Sequence, residues 1–238
     1  MIEELRQACQ SHGFFQVIGH DVPQTLMDEA LEQCRCLFSL PLDVKELYDK
    51  STSLFPHLCT SLRCRINSEL LDVGGFNRGY ERLRAQNFEK KTEGDLKEGF
   101  YFGVDLPLDH PKVTAGKFNM GPNKYPQHVK DPANFRRVVD TYFDSMRELS
   151  ERLLRLLCRT LGTGDEWVSE FAETPIALLR MLHYPPQAPD ASDLERGEPF
   201  VLSHLRLWLW PTNTHLTILQ ASARILTLVP SLSCSRIQ

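Results

Sequence analysis

The clearest pattern of hydrophobic and polar positions along the chain lies between Pro132 and Leu161. Apolar residues recur there at spacings of three and four, which is the periodicity of one face of an α-helix. Asp131 precedes this segment as a suitable N-cap, and Gly162 follows it as a suitable stop. The pattern therefore predicts one long helix that packs on a core through Phe135, Val138, Val139, Tyr142, Met146, Leu149, Leu153, Leu156, Leu157 and Leu161.

Shorter amphipathic segments precede this helix. They predict one helix over residues 2–12 and a second over residues 23–40. A third, short helix is predicted after Pro41, and the residues expected to face the core from it are Val44, Leu47 and Tyr48. A further short helix is predicted over residues 166–171.

Apolar segments bounded by Gly and Pro predict strands at residues 14–19, 98–107 and 178–184. Residues 53–76 lack clean periodicity and are interpreted as a loop or an inserted segment, and residues 107–132 as an ordered surface loop. Helices mainly come first and strands follow, which indicates an α+β class with helices packed on a mainly antiparallel sheet. We place the boundary between two regions at residues 175 and 176.

The composition excludes several classes of partner. The 238 residues carry a formal net charge of -4, so neither nucleic-acid binding nor membrane-surface binding is favoured. No run approaches the roughly 20 apolar residues of a membrane helix, and the N-terminal segment lacks the apolar core of a signal peptide. The seven cysteines show neither a disulfide framework nor zinc-site spacing. We therefore expect reduced thiols and a cytoplasmic location.

Five motifs follow one another in order along the chain. They are GFFQVIGHDVP at 13–23, LFSLPLDVKELYDKS at 37–51, NRGYERL at 77–83, EGFYFGVDLPLDHP at 98–111 and LLRMLHYPP at 178–186. Together they resemble the 2-oxoglutarate/Fe(II)-dependent dioxygenases related to isopenicillin N synthase, including the N-terminal region of these non-haem enzymes. The resemblance covers about residues 2–184, apart from the segment at 53–76.

The resemblance implies a double-stranded β-helix (jelly-roll) core flanked by the helices. Residues 1–175 would then be the dioxygenase N-terminal region, and residues 176–238 the start of an incomplete jelly-roll. The cofactors implied are 2-oxoglutarate and Fe(II), with the iron held by a His-x-Asp pair and a distal His. Two imidazoles and one carboxylate on one face suit divalent iron and leave positions open for the keto acid and O2. The substrate would be a small organic molecule that is hydroxylated, desaturated or cyclised.

One residue is carried over as a cofactor contact. Tyr184 matches the family tyrosine whose hydroxyl contacts 2-oxoglutarate. A tyrosine at the end of an apolar strand is also typical of a half-buried core residue with its hydroxyl at the rim, and this alternative stays open. His20 and Asp21 in the IGHDVP turn are interpreted as turn and capping groups rather than as ligands.

The iron site is incomplete in the sequence. His204 stands where the family has its first metal ligand, but Leu205 and Arg206 follow it in place of x-Asp. No Asp or Glu occurs between Pro199 and Gln238, and neither a distal His nor an Arg-x-Ser pair for the far carboxylate of 2-oxoglutarate is identified. A metal site built on His204 could take its second imidazole from His215, but it would still lack a third ligand. We assign His204 as the one metal-ligand candidate and no residue as catalytic.

Three hypotheses follow from these observations. In the first, the chain belongs to an oxygenase for a small organic molecule. In the second, it is a non-catalytic fragment or pseudoenzyme that acts as a protein-interaction scaffold, and Fe(II) and 2-oxoglutarate are not bound productively. In the third, it is a helical interaction module built on residues 132–161. A translated intron or a shifted reading frame would explain both the 53–76 segment and the sequence after about Phe200.

Overall fold

The computed structural model describes residues 1–13, 15–51, 75–86 and 94–186, together with the backbone of a strand at residues 215–218. The helices are α1 (Ile2–Ser11), α2 (Gln24–Phe38), α3 (Leu42–Glu46), α4 (Pro111–Thr114), α5 (Pro132–Leu161) and α6 (Trp167–Glu173). The strands are β1 (Gly79–Glu81), β2 (Glu98–Gly103), β3 (Leu178–Tyr184) and β4 (His215–Ile218), and a short 3-10 turn spans Gly75–Asn77.

The four strands form one sheet in the order β1-β2-β3-β4, and each neighbouring pair is antiparallel. Strands β1 and β2 precede α5 in the chain, whereas β3 and β4 follow it. The sheet therefore brings together chain segments from before and after the long helix. Helices α1 and α2 both pack against α5, and α2 also contacts β3. The α+β class predicted from the sequence is therefore confirmed.

The hydrophobic core lies between the sheet and helices α2 and α5. Side chains alternate between the two faces of a strand, so every second residue of β1, β2 and β3 faces the helices. Phe102 packs at ring centroid distances of 4.9 Å from Phe100 and 6.1 Å from Phe135 of α5. The sheet residues buried in this core are Tyr80, Phe100, Phe102, Leu179 and Met181.

Helix α5 has the predicted bounds because its sequence specifies both ends locally. The Asp131 side chain accepts a hydrogen bond of 3.0 Å from the Asn134 backbone N–H, which is the N-cap contact. Gly162 adopts the left-handed conformation with φ of 72° and closes the last turn. The predicted apolar stripe is buried from Phe135 to Leu153, but Leu161 is 77% exposed, so that part of the prediction is wrong.

Two local predictions are corrected. Residues 15–19 show a single bridge residue at Val17 rather than the predicted strand, and Phe14 lies outside the described residues. In the segment at α3, Leu47 is 63% exposed although it was expected to face the core, and Lys45 is the buried residue. The reason is a charged partner on the sheet, because Lys45 pairs with Glu98 of β2.

Two further segments need comment. The predicted surface loop at 107–132 contains the short helix α4. Most of the atypical segment at 53–76 lies outside the described residues, so its interpretation stays a prediction. In the described ranges, no helix is long and apolar enough to cross a membrane.

We predict that Phe100→Ala destabilises the protein by about 3–5 kcal/mol, because a fully buried aromatic ring would be replaced by a cavity. Urea unfolding measures this change. Phe118→Ala is the matched control, since Phe118 is 73% exposed, and it should change the free energy of unfolding by no more than about 0.5 kcal/mol. If the two variants lost the same free energy of unfolding, the position of the core described above would be contradicted.

Candidate functional site

Strand β3 presents two chemically different surfaces. His183 shares its face with Leu179 and Met181, which lie in the core, whereas Arg180 and Tyr184 belong to the opposite face. His183 and Tyr184 are adjacent in β3 and therefore point to opposite sides of the sheet. Each face has a buried carboxylate, Glu98 from the adjacent strand β2 and Glu81 from β1 beyond it, and each carboxylate gathers a set of hydrogen-bond donors.

Glu98 of β2 is the carboxylate on the helix-facing side. Its Oε2 accepts from Lys45 Nζ at 2.7 Å and from the Tyr80 hydroxyl at 2.5 Å. Its Oε1 lies 2.8 Å from His183 Nδ1, and since an ionised carboxylate only accepts, His183 donates through that nitrogen. The His183 ring also stacks on Phe38 of α2 at 5.4 Å. These contacts join α2, α3, β1, β2 and β3 at one carboxylate.

The pKa of Glu98 reflects this set of donors. Burial alone would raise the pKa, but the hydrogen bonds from Lys45, Tyr80 and His183 outweigh it and hold the pKa below the usual value. Glu98 is therefore ionised at neutral pH, and Lys45 is its counter-ion. The neighbouring phenol of Tyr80 has its pKa raised, first by burial and then by Glu98, so it stays protonated and continues to donate.

Glu81 of β1 is the carboxylate on the other face of the sheet. It accepts from Arg180 Nη2 at 2.6 Å, from the Tyr101 hydroxyl at 2.9 Å and from Gln86 Nε2 at 3.2 Å, and it also pairs with Lys50. Burial opposes its ionisation, but the Lys50 hydrogen bond and the charges of Arg180 and Lys50 lower its pKa. Glu81 is consequently a buried anion held between two cations.

The Tyr101 ring supports both of these cations. The Arg180 guanidinium carbon lies 4.9 Å from the ring centroid, and Lys50 Nζ lies 5.1 Å from it. Contacts of this length between a cation and an aromatic face are favourable, most of all where water is excluded. Burial also raises the pKa of Tyr101, so its hydroxyl remains a donor to Glu81. The four groups form a compact polar cluster on the sheet, which we call the Glu81 cluster: Lys50, Glu81, Tyr101 and Arg180.

Tyr184 lies at the end of β3 on the same face as Arg180. It is 39% exposed, whereas Arg180 is 8% exposed, so the face opens towards the end of the strand. In the strand register Tyr184 is opposite His215 of β4. Burial raises the pKa of Tyr184, and the charge of Arg180 opposes that shift. The phenol therefore stays protonated at neutral pH and can donate a hydrogen bond, as the predicted contact with 2-oxoglutarate requires.

The structure does not place the predicted metal ligand, since His204 lies outside the described residues. Within the described ranges, no group of three His, Cys, Asp or Glu side chains could hold a metal ion. The turn residues behave as predicted: His20 Nδ1 accepts from the Val22 backbone N–H at 3.2 Å, and Asp21 pairs with Arg152 at 3.0 Å. Tyr184 as a cofactor contact and His204 as a metal ligand both stay predictions.

Sequence reasoning missed the charged residues that organise the site. No role was predicted for Lys45, Glu81, Glu98 or Arg180, and each of them is at most 8% exposed. The available indication was the position of Arg180 between Leu179 and Met181, inside a predicted apolar strand. Charged residues in such strands are rarely fully buried unless they are paired.

The comparisons with known proteins identify the family. Residues 1–128 match the family model described as non-haem dioxygenase in morphine synthesis N-terminal. The chain is 35% identical over 198 residues to the 2-oxoglutarate-Fe(II) type oxidoreductase hxnY of Emericella nidulans, covering 83% of this chain and 51% of the relative. It is 38% identical over 195 residues to the 2-oxoglutarate-dependent dioxygenase citB of Monascus ruber, covering 81% and 52% respectively.

A solved structure supports the same conclusion at the level of the fold. A 2OG-Fe(II) oxygenase family protein from Caulobacter crescentus matches with a TM-score of 0.58 at 23% identity, covering 80% of this chain and 53% of that one. The chain belongs to the 2-oxoglutarate/Fe(II)-dependent dioxygenase family, and its sheet is part of the jelly-roll fold of these oxygenases. It spans about half the length of the curated relatives it matches.

We predict that Glu98→Gln removes a pH-dependent part of the stability. The folded pKa of Glu98 lies below the ordinary carboxyl value of 4.5, so its contribution to stability is present above that pH and is lost as the pH falls through the folded value. The variant should cost about 3–5 kcal/mol near pH 7, because Lys45 is left buried and unpaired. The cost should shrink near pH 3.5.

Urea unfolding of the variant and the unsubstituted protein at both pH values measures this difference. Glu3→Gln is the matched control, since the Glu3 side chain is 78% exposed beside Arg6, and it should have little effect at either pH. A cost for Glu98→Gln that is the same at both pH values would refute the ionised state of Glu98.

Proposed function

We propose that the chain has the architecture of an oxygenase that uses 2-oxoglutarate and Fe(II) to hydroxylate, desaturate or cyclise a small organic molecule. The observation that carries this proposal is the position of Tyr184 at the open end of β3, on the face lined by the Glu81 cluster. A neutral phenol there can donate to an oxygen of the keto acid. We also propose that residues 1–175 form the N-terminal region, that residues 176–238 begin the jelly-roll core, and that the protein is cytoplasmic.

The chain as written does not fit the family's iron centre. When bound, Fe(II) supplies the oxidising chemistry of these enzymes, and its ligand set includes a carboxylate. In this sequence His204 is followed by Leu205 and Arg206, and the arginine would oppose a nearby metal cation electrostatically. We therefore propose that Fe(II) and 2-oxoglutarate are not bound productively and that this chain does not turn over a substrate on its own.

If a keto acid were bound, the described residues of this chain would serve only to orient it. The protonated Tyr184 would orient the keto acid through its hydroxyl, and Arg180 keeps a positive charge close enough to lower the pKa of that phenol. The hydrogen bonds between the two buried carboxylates and their donors hold β3 against β1 and β2, so Tyr184 is attached to a rigid sheet.

A second candidate function is a non-catalytic scaffold that binds a protein partner. It is favoured by one observation, which is the replacement of the expected x-Asp by Leu205 and Arg206 after His204. An active oxygenase would bind iron, whereas neither the scaffold nor the unproductive chain proposed above would. Iron binding to the purified chain is therefore the measurement that separates them.

We predict that the purified chain, supplied with Fe(II) and 2-oxoglutarate without oxygen, shows no visible charge-transfer band. After oxygen is admitted it should form no succinate. The hxnY protein of Emericella nidulans, treated identically, is the positive control.

If the chain does bind iron and form succinate, a further variant serves as the control. If the chain bound iron stoichiometrically and formed succinate, the inactive state proposed here would be wrong. His204→Ala should then abolish both signals if His204 is the metal ligand, and should leave them unchanged if the iron is held elsewhere.

A further inference from the structure

Helix α6 carries two exposed aromatic side chains on one side. Trp167 and Phe171 are 48% and 43% exposed, and a spacing of four residues makes them neighbours on the helix surface. Their ring centroids are 5.8 Å apart in an edge-to-face arrangement. Leu161 at the end of α5 and Ile176 after α6 are exposed as well. Large apolar side chains that are grouped on a surface mark interaction sites, whereas single exposed ones are ordinary.

The two rings are held in place by contacts between α6 and the rest of the structure. Val168, next to Trp167, is fully buried, and Ser169 accepts a hydrogen bond of 2.8 Å from Arg155 of α5. The Trp167 indole N–H donates to the carbonyl oxygen of Gly164 at 3.1 Å, which fixes the orientation of the ring. The aromatic pair is therefore preformed, and less freedom is lost when a partner binds to it.

Three glutamates form a stripe beside the aromatic pair. Glu166, Glu170 and Glu173 follow one another at spacings of four and three residues, so they share one side of the helix. Glu166 precedes α6, but its backbone already has helical angles, with φ of -62° and ψ of -38°. In the part of the chain that the structure describes, none of the three forms an ion pair, whereas the nearby Asp165 pairs with Arg159.

This glutamate stripe is unfavourable for the helix on its own. Like charges at spacings of three and four residues repel one another across the helix surface. Glu173 is also the last residue of α6, where the partial negative charge of the helix end disfavours an anion, and the last turn has no basic residue. A positively charged partner would remove both effects.

We propose that Trp167, Phe171 and the three glutamates, together called the α6 surface, form a docking site for a basic amphipathic segment of a partner protein. The apolar side chains of that segment pack on the two rings, and its Lys or Arg side chains pair with the glutamates. The same negative charges disfavour an anionic lipid surface and a second α6 surface as occupants. The inference goes beyond the proposed function, because the α6 surface contains no residue of β3.

The test uses the full chain and three synthetic helical peptides. The first is amphipathic and consists of Lys, Leu and Ala. In the second every Leu is replaced by Ser, and in the third every Lys is replaced by Glu. Calorimetry measures binding, and the indole N–H resonance that disappears in Trp167→Phe reports the site. The first peptide should bind about tenfold or more tightly than either of the others and shift that resonance. Added salt should weaken its binding.

Two double variants separate the contributions of the rings and of the charges. Trp167→Ala with Phe171→Ala should weaken binding of the first peptide by about tenfold or more, because both aromatic anchors are lost. Glu170→Gln with Glu173→Gln should weaken it by about fivefold and reduce its dependence on salt. All four side chains are exposed, so both variants should fold, which circular dichroism checks.

Matched control variants change similar groups elsewhere on the surface. Phe118→Ala removes an exposed aromatic ring, and Glu3→Gln with Glu4→Gln removes two exposed carboxylates of α1. Both controls should bind the first peptide as the unsubstituted chain does. If they weakened binding as much as the α6 variants do, the peptide would be held by general surface charge and the inference would be wrong.

Other results would also overturn the inference. These are no binding of the first peptide, equal binding of the Ser-containing peptide, and binding that survives loss of both rings. Self-association of the chain that Trp167→Ala abolishes would assign the α6 surface to a second copy. Binding through Trp167 to vesicles of phosphatidylcholine and phosphatidylserine would assign it to a membrane. None of these measurements involves iron or 2-oxoglutarate, so they are independent of the proposed function.

Discussion

The described structure depends on two carboxylates that are buried in adjacent strands. A buried charge is strongly unfavourable unless a counter-ion and hydrogen-bond donors surround it. Glu98 and Glu81 meet this requirement on opposite faces of the sheet, with Lys45 and Arg180 as their most buried cations. Each carboxylate draws its donors from separate parts of the chain, so satisfying it forces those parts together.

This requirement fixes the segment around α3. Lys45 and Lys50 lie only five residues apart, yet one pairs with Glu98 on the helix side and the other with Glu81 on the far side. The chain between them therefore passes along the outer edge of β1, where the backbone of Tyr48 and Lys50 bonds to Tyr80. Charge pairing and the backbone bonds to Tyr80 position this segment, and Tyr48 packs against the core.

The same requirement determines what β3 presents to a ligand. His183 is fixed by Glu98 and Phe38 on the helix side, and Arg180 is fixed by Glu81 and Tyr101 on the other. Tyr184 follows directly after His183, so its direction is set by contacts on the opposite face. The proposed keto-acid contact thus lies on a strand that is held from both faces of the sheet.

The sequence predicted those parts of the fold that local patterns specify. The bounds of helix α5 were predicted because a cap and a stop directly flank its regular apolar stripe. Strand β3 was predicted from its apolar sequence. Leu47 was misplaced because the orientation of α3 depends on Glu98, which is distant in sequence.

The residues of the site also fall into two groups, those that a local motif marks and those whose partners are distant in the sequence. Tyr184 was found through a motif that resembles a family, and the family is confirmed by the match over residues 1–128. Glu81 has no local pattern that marks it, and Arg180, although it lies in an apolar strand, has its partner 99 positions away in the chain.

The most direct test of this account is a double-mutant cycle between Lys45 and Glu98, measured by urea unfolding near pH 7. Lys45→Met and Glu98→Gln should each be strongly destabilising, because each leaves a buried partner unpaired. The double variant should cost less than the sum of the two, with a coupling of about 2 kcal/mol or more. Costs that add to within about 0.5 kcal/mol would contradict the claim that this buried pair holds the fold together.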